Sequence, residues 1–130
     1  MQNNFLKVII NSMQERRRYV RIDLCIEVSY KLLSQNKQVC KSGTKNVSAG
    51  GMCFLAGDKL NAGTILELTF RLPDKDKEKI DCKAKVIWQL KQDNGYLTGI
   101  EFIDLDLNKQ MLIKTFVSKF ISELTKYELP

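Results

Sequence analysis

Histidine is absent from this 130-residue chain. That removes imidazole as general base, proton shuttle and metal ligand, and with it the Ser-His-Asp and Cys-His routes to covalent catalysis. No carboxylate pair has the spacing of a general acid and base; Asp104 and Asp106 stand two residues apart, as a helix cap would. No run reaches the roughly 18 apolar residues of a spanning helix, and 28% of the residues are charged, so no membrane span is expected. The opening MQNNFLKVII lacks the unbroken apolar stretch and small-residue cleavage site of a secretory signal. Aromatic residues are 8%, few for the stacking platforms of a single-strand nucleic-acid binder. The four cysteines (Cys25, Cys40, Cys53, Cys82) are separated by 15, 13 and 29 residues. Those spacings fit neither paired CxxC zinc ligands nor a compact disulfide framework. Reduced thiols in a cytoplasmic protein are the expectation. No catalytic residue, metal or cofactor is assigned.

What is present is enough apolar material for one packed domain: 44% of the residues are hydrophobic, and domains commonly run to about 100–150 residues. The net charge is +6. Its distribution is uneven. Residues 1–21 carry five basic groups and one acid, a net +4, and the other 109 residues only +2. Localised basicity of this kind suggests a discrete anionic partner more than a coated polymer.

Residues 1–13 form a separate, weakly amphipathic segment with Phe5, Leu6, Ile9, Ile10 and Met13 along one side. A domain follows over 14–130. Period-two alternation predicts strands over 22–33, 38–47, 52–55, 64–72, 80–91 and 96–103. In the clearest of them, Ile80, Cys82, Ala84, Val86, Trp88 and Leu90 share the inward face. Asp93-Asn94-Gly95 supplies a hairpin turn, since Asn-Gly reaches positive φ at low cost. From Asp106 the period lengthens to about 3.6. A helix over 106–126 presents Ile113, Phe116, Val117, Phe120, Ile121 and Leu124 as one stripe, and Asp104 or Asp106 can cap it. One-sided strands joined by tight turns imply a mainly β, antiparallel sheet. Six of them hide their edges best as a closed barrel, with the helix across its mouth or against a partner. Cys82 reads as a small core residue, and Cys25, on a polar face, as the more reactive thiol.

Two stretches carry chemistry. In Arg16-Arg17-Arg18-Tyr19-Val20-Arg21, guanidinium forks match phosphate oxygens and the O6/N7 edge of guanine. In Asn46-Val47-Ser48-Ala49-Gly50-Gly51, Asn46 offers a donor and an acceptor, Ser48 a hydroxyl, and the glycines close backbone approach. Alone, each has an ordinary reading: a solvated basic arm and a Ser-assisted turn.

Together, Arg17-x-x-x-Arg21 and, 25 residues on, Asn46-x-Ser48-x-x-Gly51 resemble the signature of the PilZ domain. Cys82-Lys83-Ala84-Lys85-Val86-Ile87-Trp88 resembles that family's penultimate strand, and Gly99-Ile100-Glu101-Phe102 its closing strand. The resemblance implies a six-stranded antiparallel barrel with a C-terminal helix and a receptor for cyclic di-GMP. By that resemblance Arg17 and Arg21 hold phosphate and guanine, Asn46 and Ser48 meet the guanine edge, and Gly50 and Gly51 allow the approach. Arg16 and Arg18 flank the motif, Arg16 as in members that bind an intercalated pair of ligands. Val20 stands where many members have proline, and Asn46 where Asp is commoner. Ligand binding is then expected to order residues 14–21 against the barrel and so signal to a downstream protein. The apolar N-terminal segment and the helix offer homodimer surfaces. The competing readings are a protein-interaction module with vestigial nucleotide binding and a small basic barrel for RNA or single-stranded DNA. No nucleic-acid polymer is the expected partner.

Overall fold

Alternating apolar and polar residues set the strands of this protein. The computed structural model describes residues 19–34, 38–74 and 77–128, with side chains through 124. Strands run over Glu27–Leu32 (β1), Cys40–Val47 (β2), Gly51–Ala56 (β3), Ile65–Arg71 (β4), Lys79–Gln92 (β5) and Gly95–Phe102 (β6), and a helix over Leu107–Glu128 (α1). The strands close into a barrel in the order β1-β2-β3-β6-β5-β4, all neighbours antiparallel.

Inward positions are filled by Val28, Tyr30, Phe54, Leu66, Leu68, Phe70, Ile80, Ala84 and Val86, all buried. Tyr30 packs on Phe54 with ring centroids 4.9 Å apart. Burial of each large side chain is worth about 1.5–3 kcal/mol. The helix stripe read from the sequence joins the barrel rather than standing free. Ile113, Phe116 and Val117 are buried in the same cluster, and Phe120 and Ile121 pack against it. Asp106 is the helix cap: its carboxylate accepts the Lys109 N–H at 2.8 Å. Asp104 accepts the Lys83 N–H instead, which ties the chain after β6 to β5.

Three sequence expectations change. The first strand is shorter than 22–33. Only Ile22 bridges to Val47 ahead of β1, because the buried Thr44 hydroxyl takes the place of a regular ladder there. That hydroxyl accepts the Ile26 N–H at 2.8 Å and donates to the Leu24 carbonyl at 2.6 Å. Next, Trp88 and Leu90 do not face inward; they are 40% and 59% exposed. A bulge between Val86 and Trp88 inserts one residue and reverses the alternation beyond it. Gln89 takes the inward side, accepting the Leu60 N–H at 2.6 Å and donating to Thr98 Oγ1 at 2.9 Å. Last, the hairpin forms where expected, but Gln92 pairs with Gly95, so the loop is Asp93-Asn94. Positive φ falls on Gly95, at 147°, where a side chain would meet the Ala56 carbonyl oxygen.

All four cysteines are free thiols. Cys82 is buried and Cys25 exposed, as their strand faces predicted. No helix is long and apolar enough to cross a membrane, among the described residues.

Candidate cyclic-dinucleotide cleft

The end of the basic segment is fixed by backbone. The Ile22 N–H donates to the Val47 carbonyl and the Val47 N–H to the Ile22 carbonyl, both at 3.0 Å. This lays the segment alongside the last residues of β2 and sets Arg21 at the same cleft as Asn46 and Ser48. The cleft has a volume of about 470 Å³. In an extended segment alternate residues share a side. Accordingly Tyr19 and Arg21 both line the cleft, while Val20 between them is 44% exposed.

The β2–β3 connection is a two-residue hairpin closed by Ser48 and Gly51. The Ser48 N–H donates to the Gly51 carbonyl at 2.9 Å. Its buried hydroxyl accepts the N–H groups of Gly50 at 3.1 Å and Gly51 at 3.2 Å. The ordinary reading of this stretch, a Ser-assisted turn, therefore holds as local structure. The glycines serve the protein's own packing. A side chain on Gly51 would strike the Ile100 carbonyl oxygen, and one on Gly50 would meet the Tyr19 ring at 2.6 Å. Asn46 is half-buried and lines the cleft.

The opposite wall comes from the β5 bulge. Trp88 pairs with Gly99, and its indole lies where a Gly99 side chain would be. Ile87, the inserted residue, lines the same wall, and Glu101 adds a carboxylate at the rim. Between the walls, Gly51, Cys53 and Gly99 leave little side-chain bulk. Cys53 reports on the field here: burial pushes its thiol up, while the charges of Arg21 and Lys45 pull it down.

Of the residues singled out in the sequence, Arg21, Asn46, Ser48, Gly50 and Gly51 come together at this cleft. Arg16, Arg17 and Arg18 lie outside the described residues. The sequence reading missed Tyr19, Trp88, Ile87 and Glu101 as cleft residues. Tyr19 stood inside the arginine motif, where it could have been found. Trp88 was hidden by the bulge, which no local pattern announces.

Arg21 and the Asn46-x-Ser48-x-x-Gly51 motif thus line one cleft on a six-stranded barrel, and residues 15–119 match the PilZ domain family. The chain belongs to that family. A search of curated proteins returns no match. Solved structures similar in fold include the following three. The inhibitor of motility MotI/DgrA of Bacillus subtilis superposes with a TM-score of 0.73 at 21% identity, over 84% of this chain and 53% of that one. YcgR of Escherichia coli in complex with c-di-GMP gives 0.72 at 16%, over 87% and 49%. The MrkH–c-di-GMP complex of K. pneumonia gives 0.71 at 17%, over 87% and 55%. The chain spans about half the length of these relatives. Within this PilZ domain, the cleft combines a guanidinium, an amide and an indole plane, a donor and stacking set suited to a purine nucleotide.

Proposed function

We propose that this PilZ domain is a receptor for cyclic di-GMP, binding in the cleft between the arginine segment and the Asn46–Gly51 hairpin. One observation carries the reading: Arg21 and Asn46, 25 residues apart in sequence, line one cleft whose far wall is the Trp88 indole. Arg21, with Arg17 and the flanking Arg16 and Arg18, supplies charge for the two phosphates and planes for the bases. Asn46 meets the guanine edge, and Trp88 offers a stacking surface. Ser48 acts through the hairpin it closes. YcgR and MrkH are proteins of this fold solved with c-di-GMP, which supports the ligand class.

Hydrogen bonds to charged groups contribute about 1.5–3 kcal/mol each. Three or four of them with stacking offset the ordering of the arm and leave roughly −8 kcal/mol, micromolar affinity. Ordering of the arginine segment ahead of Tyr19 on the ligand is the signal, and a downstream protein reads it. The chain is a receptor in the cytoplasm, not an enzyme, and needs no cofactor.

Titration calorimetry with cyclic di-GMP tests this directly. Saturable micromolar binding with a shallow salt dependence is expected, since the ligand carries two phosphates. No heat at high micromolar ligand would remove the receptor reading and favour a protein-interaction module. A steep salt slope with an RNA or single-stranded DNA oligonucleotide would favour a polymer binder.

A further inference from the structure

The Tyr19 side chain joins the cleft to α1. The Tyr19 hydroxyl accepts a hydrogen bond from Gln110 Nε2 at 3.1 Å. The Lys114 ammonium sits 5.3 Å from the centroid of the Tyr19 ring. The same ring covers Gly50, whose missing side chain gives it room. Tyr19 therefore touches the glycine hairpin on one side and α1 on the other, two residues from Arg21. Downstream, a backbone bridge between Ile22 and Val47 holds the chain to β2. Upstream of that bridge, Tyr19 is held by its contacts with Gln110, Lys114 and Gly50. Neither Gln110 nor Lys114 lines the cleft.

We propose that Tyr19 is a positioning residue that couples cleft occupancy to the C-terminal helix, so that Gln110 and Lys114 contribute to ligand affinity without touching the ligand. The argument rests on the receptor reading above. With Tyr19 docked, residues 19–22 run along β2 and Arg21 lines the cleft. With Tyr19 released, that segment loses its Gln110 and Lys114 contacts and its packing on Gly50. A ligand that uses Arg21 binds the docked arrangement better, and so favours the Tyr19–Gln110 contact. Coupling between sites is reciprocal. Whatever strengthens the helix contact strengthens ligand binding, and ligand binding protects the helix. α1 is then an output face as well as a structural one, since a partner that pulls on the helix reads the cleft.

The test is calorimetric titration of cyclic di-GMP into wild type, Gln110→Ala, Tyr19→Phe, their double variant and Lys114→Ala. Lys119→Ala serves as a control for loss of one positive charge from the helix. Thermal melts confirm that each variant folds. Gln110→Ala and Tyr19→Phe should each weaken binding about three- to tenfold, the range a neutral hydrogen bond covers. The double variant should be no weaker than either single one, because both remove the same bond. Lys114→Ala should weaken binding about two- to fivefold, and Lys119→Ala less. Hydrogen exchange over 107–117 should slow on ligand addition in wild type and not in Gln110→Ala. Wild-type binding that Gln110→Ala and Tyr19→Phe leave unchanged, or helix exchange indifferent to ligand, overturns the coupling while the receptor reading stands. No binding by wild type overturns both.

Discussion

Trp88 lies across Gly99, its cross-strand partner, with the indole filling the space of the missing side chain. The contact turns a bulge into a wall. One inserted residue in β5 swings Trp88 from the core side to the outer face, and only glycine opposite lets the ring lie down. Gly99→Ala should therefore displace the indole. Trp88 is the only tryptophan, so its emission reports this site alone. A shifted emission maximum and cyclic di-GMP binding weakened about tenfold are expected, since base–aromatic stacking is worth about 1–3 kcal/mol. An unchanged spectrum would remove Trp88 from the wall.

The two glycines of the hairpin should respond in opposite ways. A methyl on Gly51 meets backbone, the Ile100 carbonyl, which the β3–β6 pairing holds in place. Gly51→Ala should cost about 1–3 kcal/mol of stability in denaturant unfolding, the range of overpacking. A methyl on Gly50 meets the Tyr19 ring first, a side chain that can move. Gly50→Ala should leave stability nearly intact and lower ligand affinity. Equal effects on stability would show that the Tyr19 ring is as rigid as a strand.

The contrast between these residues also marks what sequence can tell. Strands and helix were readable because their periods are local: Ile80 to Val86 alternate, and Ile113 to Ile121 recur at helical spacing. The Arg17/Arg21 and Asn46-x-Ser48-x-x-Gly51 motifs were readable as a pair, and their described members do meet at one cleft. The wall was not readable. The bulge after Val86 depends on how β5 and β6 fit around the barrel, so Trp88 looked like core. The Tyr19–Gln110 bond spans 91 residues, and no pattern in either segment points to the other. Ser48 and Gly51 line the cleft, and their partners within the protein belong to the turn and to β6.

Thr44 is a second polar residue that replaces backbone pairing. Its buried hydroxyl accepts from Ile26 N and donates to the Leu24 carbonyl, holding the irregular stretch ahead of β1. Thr44→Val keeps the shape and strands both backbone groups. A loss of about 1–3 kcal/mol is expected, as for a buried group left unsatisfied. Thr44→Ser should recover most of it. Since the same stretch leads back to Arg21, affinity should fall with Thr44→Val as well. Stability equal to wild type would show that the strand holds without the hydroxyl.

The Cys82 thiol gives a pH dependence of known sign. Burial raises its pKa most, Asp104 adds to that, Lys109 opposes it, and the net result is about 12 against an ordinary 9.0. Between pH 9 and 12 the unfolded chain releases this proton and the folded chain keeps it. The unfolded state then binds fewer protons, so stability falls as pH rises through that window and is fully present below it. Cys82→Ala should flatten the slope. At pH 8 the thiol should resist iodoacetamide in the folded protein while the exposed Cys25 reacts, as mass spectrometry of alkylated peptides would show. Rapid labelling of Cys82 would mean that β5 opens more readily than its pairing implies.

Arg21 and Asn46 make the decisive pair for the ligand. Arg21→Ala removes a charged fork from a cleft built around it, and binding should fall at least thirtyfold, about 2 kcal/mol, as for a lost hydrogen bond to a charged group. Lys77→Ala, in the exposed loop between β4 and β5, removes the same charge from elsewhere and should leave affinity within twofold. Asn46 invites the opposite experiment. In the proposed pose its amide would accept from guanine N1 and N2 as a neutral group, and a carboxylate would do so with charge, roughly doubling the strength of each bond. Asn46→Asp should tighten cyclic di-GMP binding several-fold by calorimetry, with the gain shrinking in high salt. It should do so only while Arg21 is present, because an unpartnered carboxylate beside two phosphates repels them. If Asn46→Asp weakens binding in the presence of Arg21, the amide faces a phosphate and not a base edge, and the orientation of the ligand in this cleft is the reverse of the one proposed.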